Sequence, residues 1–282
     1  MGARAELAGR VAVVTGVTRQ AGLGAAIARE FVEAGAAVFT THFREYDKHQ
    51  AWGVAPDEPE SILVGLGEQG AGIELDLSSL SAAVDLFDQA RSRFGPVDIL
   101  VNNAAHWEPG GIRHVSAGQL DRHFAVNLRA AVLLCSEYVR RRRPSVGGRI
   151  INVTSGQGQG PMPGELAYAV TKAGLDALTL SLAADLLASG VTVNGIDPGP
   201  IDTGWMTADL RTSLASVSPT GSLARPEDLA SVVRLLCTDA AAGITGRIIR
   251  IQSEGEVENL KRELANNRLQ PTAADATGNR RG

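Results

Sequence analysis

The stretch "RVAVVTGVTRQAGLGAAIAREFVEAG", residues 10–35, decides how this chain begins to fold. Residues 11–14 are apolar without alternation, which suits a strand buried on both faces. Residues 22–34 repeat apolar side chains at helical spacing. Three glycines lie between them: Gly16, Gly22 and Gly24. Strand, glycine turn and helix is how a dinucleotide site begins. Glycine lets backbone N–H groups approach a pyrophosphate, and the helix N-terminus favours its charge. The spacing is not G-x-G-x-x-G, so the turn alone leaves a plain strand–helix connection open.

Working outward, the same alternation recurs. Candidate strands are 10–15, 36–42, 72–75, 97–102, 149–154, 191–196 and 247–251, and candidate helices are 22–34, 58–70, 79–94, 118–142, 165–189 and 226–238. Repeated βαβ units with unalternating strands predict a seven-stranded parallel sheet with helices on both faces, a doubly wound α/β fold of Rossmann type. No linker interrupts residues 8–255, so one domain is expected there. Segment 43–57, "FREYDKHQAWGVAPD", is too polar and broken for a strand or a long helix. In the extension 256–282, "VENLKREL" suits a short helix and the rest is expected to be disordered.

Composition excludes several functions. The chain has 282 residues, 44% hydrophobic and 21% charged, with a net charge of −4. It carries no general basic field for nucleic acid. The run Arg140 to Arg143 closes a helical stretch, where cations suit the helix dipole. Cys135 and Cys237 have neither a CxxC partner nor a histidine at ligand spacing, so neither a metal nor a disulfide is expected. No stretch has the length of a membrane span or the pattern of a signal peptide, so the cytoplasm is the expected location.

A distant segment gives the turn its meaning. "NVTSGQGQGPMPGELAYAVTKAG", residues 152–174, sets Tyr168 and Lys172 one helical turn apart, with Ser155 after a strand. "LVNNAA" (100–105) follows another strand, Asn127 falls in a helix, and "DPGPIDT" (197–203) comes downstream. In this order the set resembles the classical short-chain dehydrogenase/reductase family, whose pattern is T-G-x-x-x-G-x-G, N-N-A-G, a helix asparagine, a serine, Y-x-x-x-K and P-G. Four departures stand out. The glycine loop is two residues longer, Ala105 replaces the last glycine of N-N-A-G, segment 43–57 is long, and the chain continues past Gly255.

The resemblance implies a nicotinamide cofactor. Thr15, Gly16, Gly22, Leu23 and Gly24 would hold the pyrophosphate, and Asp76 and Leu77 would contact adenine. Asn102 and Ala104 would line the cleft, with Pro198, Gly199, Ile201 and Thr203 at the nicotinamide end. In NAD enzymes of this fold an acid at the end of the second strand binds the adenosine ribose. Here that place is held by His42, and Arg44 and Arg19 are near in sequence. A guanidinium can bind a phosphate bidentately. NADP(H) is therefore preferred, with NAD(H) possible.

Hydride transfer to a carbonyl builds charge on oxygen and needs a proton. The resemblance gives that role to Tyr168, with Lys172 and oxidised nicotinamide lowering a phenol pKa of about 10 toward 7. Lys172 would also grip the nicotinamide ribose. Ser155 would hydrogen-bond the substrate oxygen, and Asn127 would support a water linking Lys172 to solvent. His106, Trp107, Met162, Trp205 and Met206 are the expected walls of a small-molecule pocket. "PGPIDTGWMT" and "ITG" resemble β-ketoacyl-carrier-protein reductases more loosely, which admits 3-oxoacyl thioesters. A sugar or steroid dehydrogenase, an enoyl reductase, or a silent nucleotide-binding sensor stays open.

Relatives pair through two long central helices. Those at 118–142 and 165–189 are apolar beyond a single stripe, and Ala130, Ala131, Ala173 and Ala177 are small. A homodimer or homotetramer is expected.

Overall fold

The computed structural model describes residues 6–144, 147–218 and 222–251. Seven strands make one sheet: β1 (Val11–Val14), β2 (Ala37–His42), β3 (Gly70–Glu74), β4 (Ile99–Asn102), β5 (Gly148–Val153), β6 (Val191–Asp197) and β7 (Arg247–Arg250). Their order is β3-β2-β1-β4-β5-β6-β7, and every pairing is parallel. The expected doubly wound sheet is present.

Period two explains why the strands read as unbroken apolar runs. In β1, Ala12 and Val14 join the core on one face, and Val11 and Val13 join the core on the other. The first face is covered by α1 (Leu23–Glu33), α3 (Glu58–Leu66) and α9 (Pro226–Cys237). The second is covered by α4 (Ala82–Phe94), α6 (Ala131–Arg141) and α7 (Leu166–Leu186). The chain leaves β1 toward β2 and later returns to its other side as β4. That reversal opens a crevice at the carboxyl ends of the strands, where open α/β sheets bind ligands.

Three local differences from the sequence reading matter. The helix expected over 58–70 stops at Leu66, because Gly67 takes φ +63°, and β3 starts at Gly70. The helix expected over 118–142 is three pieces: α5 (Ala117–His123), a π-helical segment Phe124–Ala130, and α6. Two short helices were not expected, α2 (Arg44–Lys48) and α8 (Ala208–Val217). Within the arginine run, Arg140 and Arg141 pair with Glu137, Arg141 also with Asp88, and Arg143 with Asp98. These are helix-end and sheet contacts. The helix expected in "VENLKREL" lies outside the described residues.

Candidate active site

The glycine loop is held by the loop after β4. Thr15 Oγ1 accepts hydrogen bonds from the N–H groups of Asn103 and Ala104, both at 3.0 Å. Asn103 Nδ2 donates to the carbonyls of Thr15 at 2.7 Å and Gly16 at 3.1 Å. Gly16 sits at φ +74°, and a Cβ there would lie 2.7 Å from Ala104 Cα. A Cβ on Gly24 would lie 2.7 Å from the Gly16 carbonyl oxygen. Only glycine fits either place. Gly22 begins α1 with no side chain capping it, so its first-turn N–H groups can serve an anion. A buried His42 Nδ1 without a hydrogen-bond partner lies at the end of β2. A dinucleotide supplies what these groups lack: a pyrophosphate for the helix end and a ribose hydroxyl for the imidazole. The residues fit a nicotinamide dinucleotide.

Asn103, which sequence reasoning passed over for Asn102, makes the contact to the loop. Asn102 turns its side chain inward to Asn152 Oδ1, 2.8 Å away, and to Cys135. The doubled "NN" was the available signal, but which asparagine faces the loop follows from strand pleat and pairing. Asp76 is exposed and accepts from the Ser78 N–H at 2.8 Å, beside buried Leu77. Gly199 adopts φ +61°, its N–H bound to Asp197, and Ile201 is buried.

The two arginines differ. Arg44 is held by Glu60 and Glu74, from α3 and β3. Arg19 donates to the carbonyl of Thr203, so the glycine loop reaches the loop after β6. Burial, and then Arg44, hold the His42 imidazole below its ordinary pKa, which keeps it neutral at pH 7.

Tyr168 and Lys172 stand in the first turns of α7, and Ser155 lies just past β5. The Ser155 hydroxyl neighbours the Tyr168 phenol and favours its ionised form. Lys172 is 2% exposed, its Nζ donating to the Val153 carbonyl at 2.6 Å and lying 5.6 Å from the Tyr168 ring centre. Burial pushes the phenol up to about 12, against the Ser155 hydroxyl. Burial likewise draws Lys172 down to about 8, opposed by Asp176 one turn on. Ser155 alone therefore does not bring the phenol toward 7, because the low-dielectric site penalises phenolate more than the serine favours it.

Asn127 lies in the π-helical segment, a helix form frequent at functional sites. Its Oδ1 accepts from the His106 N–H at 2.6 Å, and its Nδ2 donates to the His106 carbonyl at 2.9 Å and to Thr171 Oγ1 at 3.0 Å. Thr171 in turn donates to the Tyr168 carbonyl. Asn127 thus ties the loop after β4 to the helix of Tyr168. Both Nδ2 hydrogens are committed to protein groups, which leaves one acceptor position of Oδ1 and the backbone carbonyl to support a water. Thr171 gave no sequence signal beyond lying between Tyr168 and Lys172.

The expected pocket residues come from three loops. Gly110 and Glu165 form a bridge that joins the loop of His106 and Trp107 to that of Met162. His106 bonds Glu108 at 2.6 Å and packs against His123 and Tyr46. Tyr46, from unexpected α2, donates to the Trp107 carbonyl and accepts its N–H. In the loop after β6, Met206 is buried while Trp205 is 45% exposed, its Nε1 donating to the Ile201 carbonyl.

A family model described as enoyl-(acyl carrier protein) reductase matches residues 16–253. The chain belongs to the short-chain dehydrogenase/reductase family. It is 40% identical to the "uncharacterized oxidoreductase YjdA" of Bacillus subtilis, covering 87% of this chain and 96% of that one. It is 32% identical to the 3-oxoacyl-[acyl-carrier-protein] reductase FabG of Haemophilus influenzae, covering 86% and 96%. Among solved structures, the angucycline C-6 ketoreductase LanV with bound NADP superposes with a TM-score of 0.77 at 28% identity, covering 87% and 95%. This family member is an oxidoreductase of the CH-OH/C=O class. No helix among its described residues is long and apolar enough to cross a membrane.

Proposed function

We propose that residues 8–255 form the catalytic domain of a cytoplasmic, NADP(H)-dependent enzyme that interconverts a carbonyl and an alcohol. The observation that carries this is the convergence of Ser155, Tyr168 and Lys172. Two neighbouring hydroxyls can both address one substrate oxygen, with an ammonium behind them. Bound nicotinamide supplies the hydride and, when oxidised, a positive charge beside the phenol. Ser155 holds the carbonyl oxygen by donating its proton into a hydrogen bond. Tyr168 gives its Oη proton to the oxygen as charge develops there. Lys172, protonated below pH about 8, steadies the phenolate that results and grips the ribose. Asn127 keeps the catalytic helix and the loop after β4 in register.

NADP(H) is favoured because no carboxylate holds the end of β2, and because Arg19 gives its hydrogen bond to a backbone carbonyl instead of an acid. Arg44, held by two carboxylates, is less able to serve. The chemistry addresses an oxygen, which favours ketones, aldehydes and 3-oxoacyl thioesters over an isolated C=C bond.

The exposed stripe of Val170, Ala173, Ala177 and Leu180 on α7, with Val132 and Val139 on α6, supports a homodimer. Ala130 and Ala131 are buried within the protomer and do not join that surface.

The test is a panel of ketones, aldehydes and 3-oxoacyl thioesters scanned for NADPH oxidation. Turnover of at least one is expected. Firm NADPH binding with no turnover of any would refute the proposal in favour of a nucleotide sensor.

A further inference from the structure

Segment 43–57 packs on the lengthened glycine loop. The guanidinium carbon of Arg19 lies 5.4 Å from the centre of the Trp52 ring. Trp52 Nε1 donates to Asp47 Oδ1 at 2.9 Å. Asp47 is buried, and the Phe43 N–H donates at 3.4 Å to the Oγ1 of Thr18, the neighbour of Arg19. Glu58 closes the outer end, accepting from the Gln20 N–H at 2.6 Å and the Ala55 N–H at 3.3 Å. The segment and the first residue of α3 therefore hold three consecutive loop residues, Thr18, Arg19 and Gln20. A 450 Å³ cavity opens beside the stacked pair, lined by Arg19, Trp52, Val54, Glu58 and Thr203 among others.

An arginine on a loop two residues longer than its family pattern has more places to go. Stacking on an indole face fixes the plane of the guanidinium; one amino group is engaged by the Thr203 carbonyl, and the remaining N–H groups are left to take a phosphate. Asp47 accepts from the indole and also lies within electrostatic reach of Arg19. Burial pushes its carboxyl up, which limits the negative charge it sets against a nearby anion.

We propose that Trp52 is a positioning residue for cofactor selectivity: stacked on Arg19 and anchored by Asp47, it holds the guanidinium for the 2′-phosphate of NADP(H). Segment 43–57 would then set cofactor choice in place of an acid at the end of β2. This rests on the reading of Arg19 as the phosphate ligand, and the experiment separates the two.

NADPH and NADH are titrated by fluorescence against the full chain and four variants, each checked by thermal melting. Arg19→Ala should weaken NADPH at least tenfold and NADH less than twofold. Trp52→Leu should weaken NADPH at least fivefold and NADH less than twofold. Trp52→Gln keeps an N–H for Asp47 but lacks the ring, and should match Trp52→Leu, which covers the case where leucine does not fold. Trp52→Phe keeps a ring and should stay within about threefold of wild type. A normal NADPH-to-NADH preference in the ring-less variants, with a lost preference in Arg19→Ala, would overturn the positioning role alone. Equal weakening of both nucleotides in the ring-less variants would also overturn it, since the ring would then serve the loop and not the phosphate. A normal preference in Arg19→Ala would overturn the phosphate reading and this inference with it.

Discussion

Two glycines give a paired experiment on the loop that starts the fold. Gly9 and Gly16 have nearly the same φ, +73° and +74°. Alanine at either position carries the cost of a left-handed L-residue, about 1–2 kcal/mol. They differ in what the new methyl would meet. At Gly9 nothing lies within 4 Å, whereas at Gly16 Ala104 Cα is 2.7 Å away and Ala104 N 3.0 Å. A relaxed carbon contact is about 3.5–4.0 Å, so the Ala104 backbone must retreat by roughly 1 Å. That backbone is pinned by its hydrogen bond to Thr15. Overpacking of this kind costs about 1–3 kcal/mol. Gly9→Ala should thus lose about 1–2 kcal/mol and Gly16→Ala about 2–5 kcal/mol. Urea unfolding with linear extrapolation measures both. Gly16→Ala should also weaken NADPH and NADH by the same factor, because the pyrophosphate is common to them, and Gly9→Ala should weaken neither. Equal stability losses at the two positions would refute the tight approach of the two loops.

Arg44→Ala should cost no more than about 1 kcal/mol, since both carboxylate partners are substantially exposed. It should shift the NADPH-to-NADH preference less than roughly threefold, against the tenfold of a phosphate ligand (about 1.4 kcal/mol); nucleotide titration decides. Alkali should destabilise the fold. Burial holds the Cys135 and Cys237 thiols up to about 12 from 9.0 and draws Lys172 down to about 8 from 10.5. Between pH 9 and 10 unfolding releases about 1.5 thiol protons on average and returns close to one to Lys172. The folded state then holds more protons, and stability falls by about 0.8 kcal/mol over that pH unit, approaching about 1.4 kcal/mol per unit at pH 10. Tyr46 and Tyr168, raised to about 12 from 10.0, steepen the fall above pH 10, and urea melts across this range should show it. Light scattering should report a dimer, and Leu180→Glu on the exposed stripe should yield a monomer of 29.5 kDa.

What the sequence made legible was local or periodic. Tyr168 and Lys172 are read directly because one helical turn separates them, and β1 because both its faces are apolar. Segment 43–57 resisted because its five-residue helix is held from outside, by Tyr46 on Trp107 and by Trp52 on Asp47 and Arg19. Arg44 read as a free cation because its partners stand 16 and 30 residues away. The π-helical segment was hidden because "FAVNLRA" carries ordinary helical periodicity, while its packing brings Asn127 to His106 and Thr171. The phenol was expected near neutrality with oxidised nicotinamide beside it; in the protein alone burial outweighs Ser155 and holds it up.

The central claim is that Tyr168 is the proton donor, and Tyr168→Phe tests it most directly. The phenyl ring keeps the packing and the contact with Lys172 but has no proton to give. With any carbonyl compound the wild type reduces, the single-turnover rate of NADPH oxidation should fall by about 10²–10⁴-fold, the usual worth of a general acid. NADPH affinity should stay within about twofold of wild type, while Lys172→Ala should damage both. A Phe variant that keeps more than about a tenth of the wild-type rate would contradict the account.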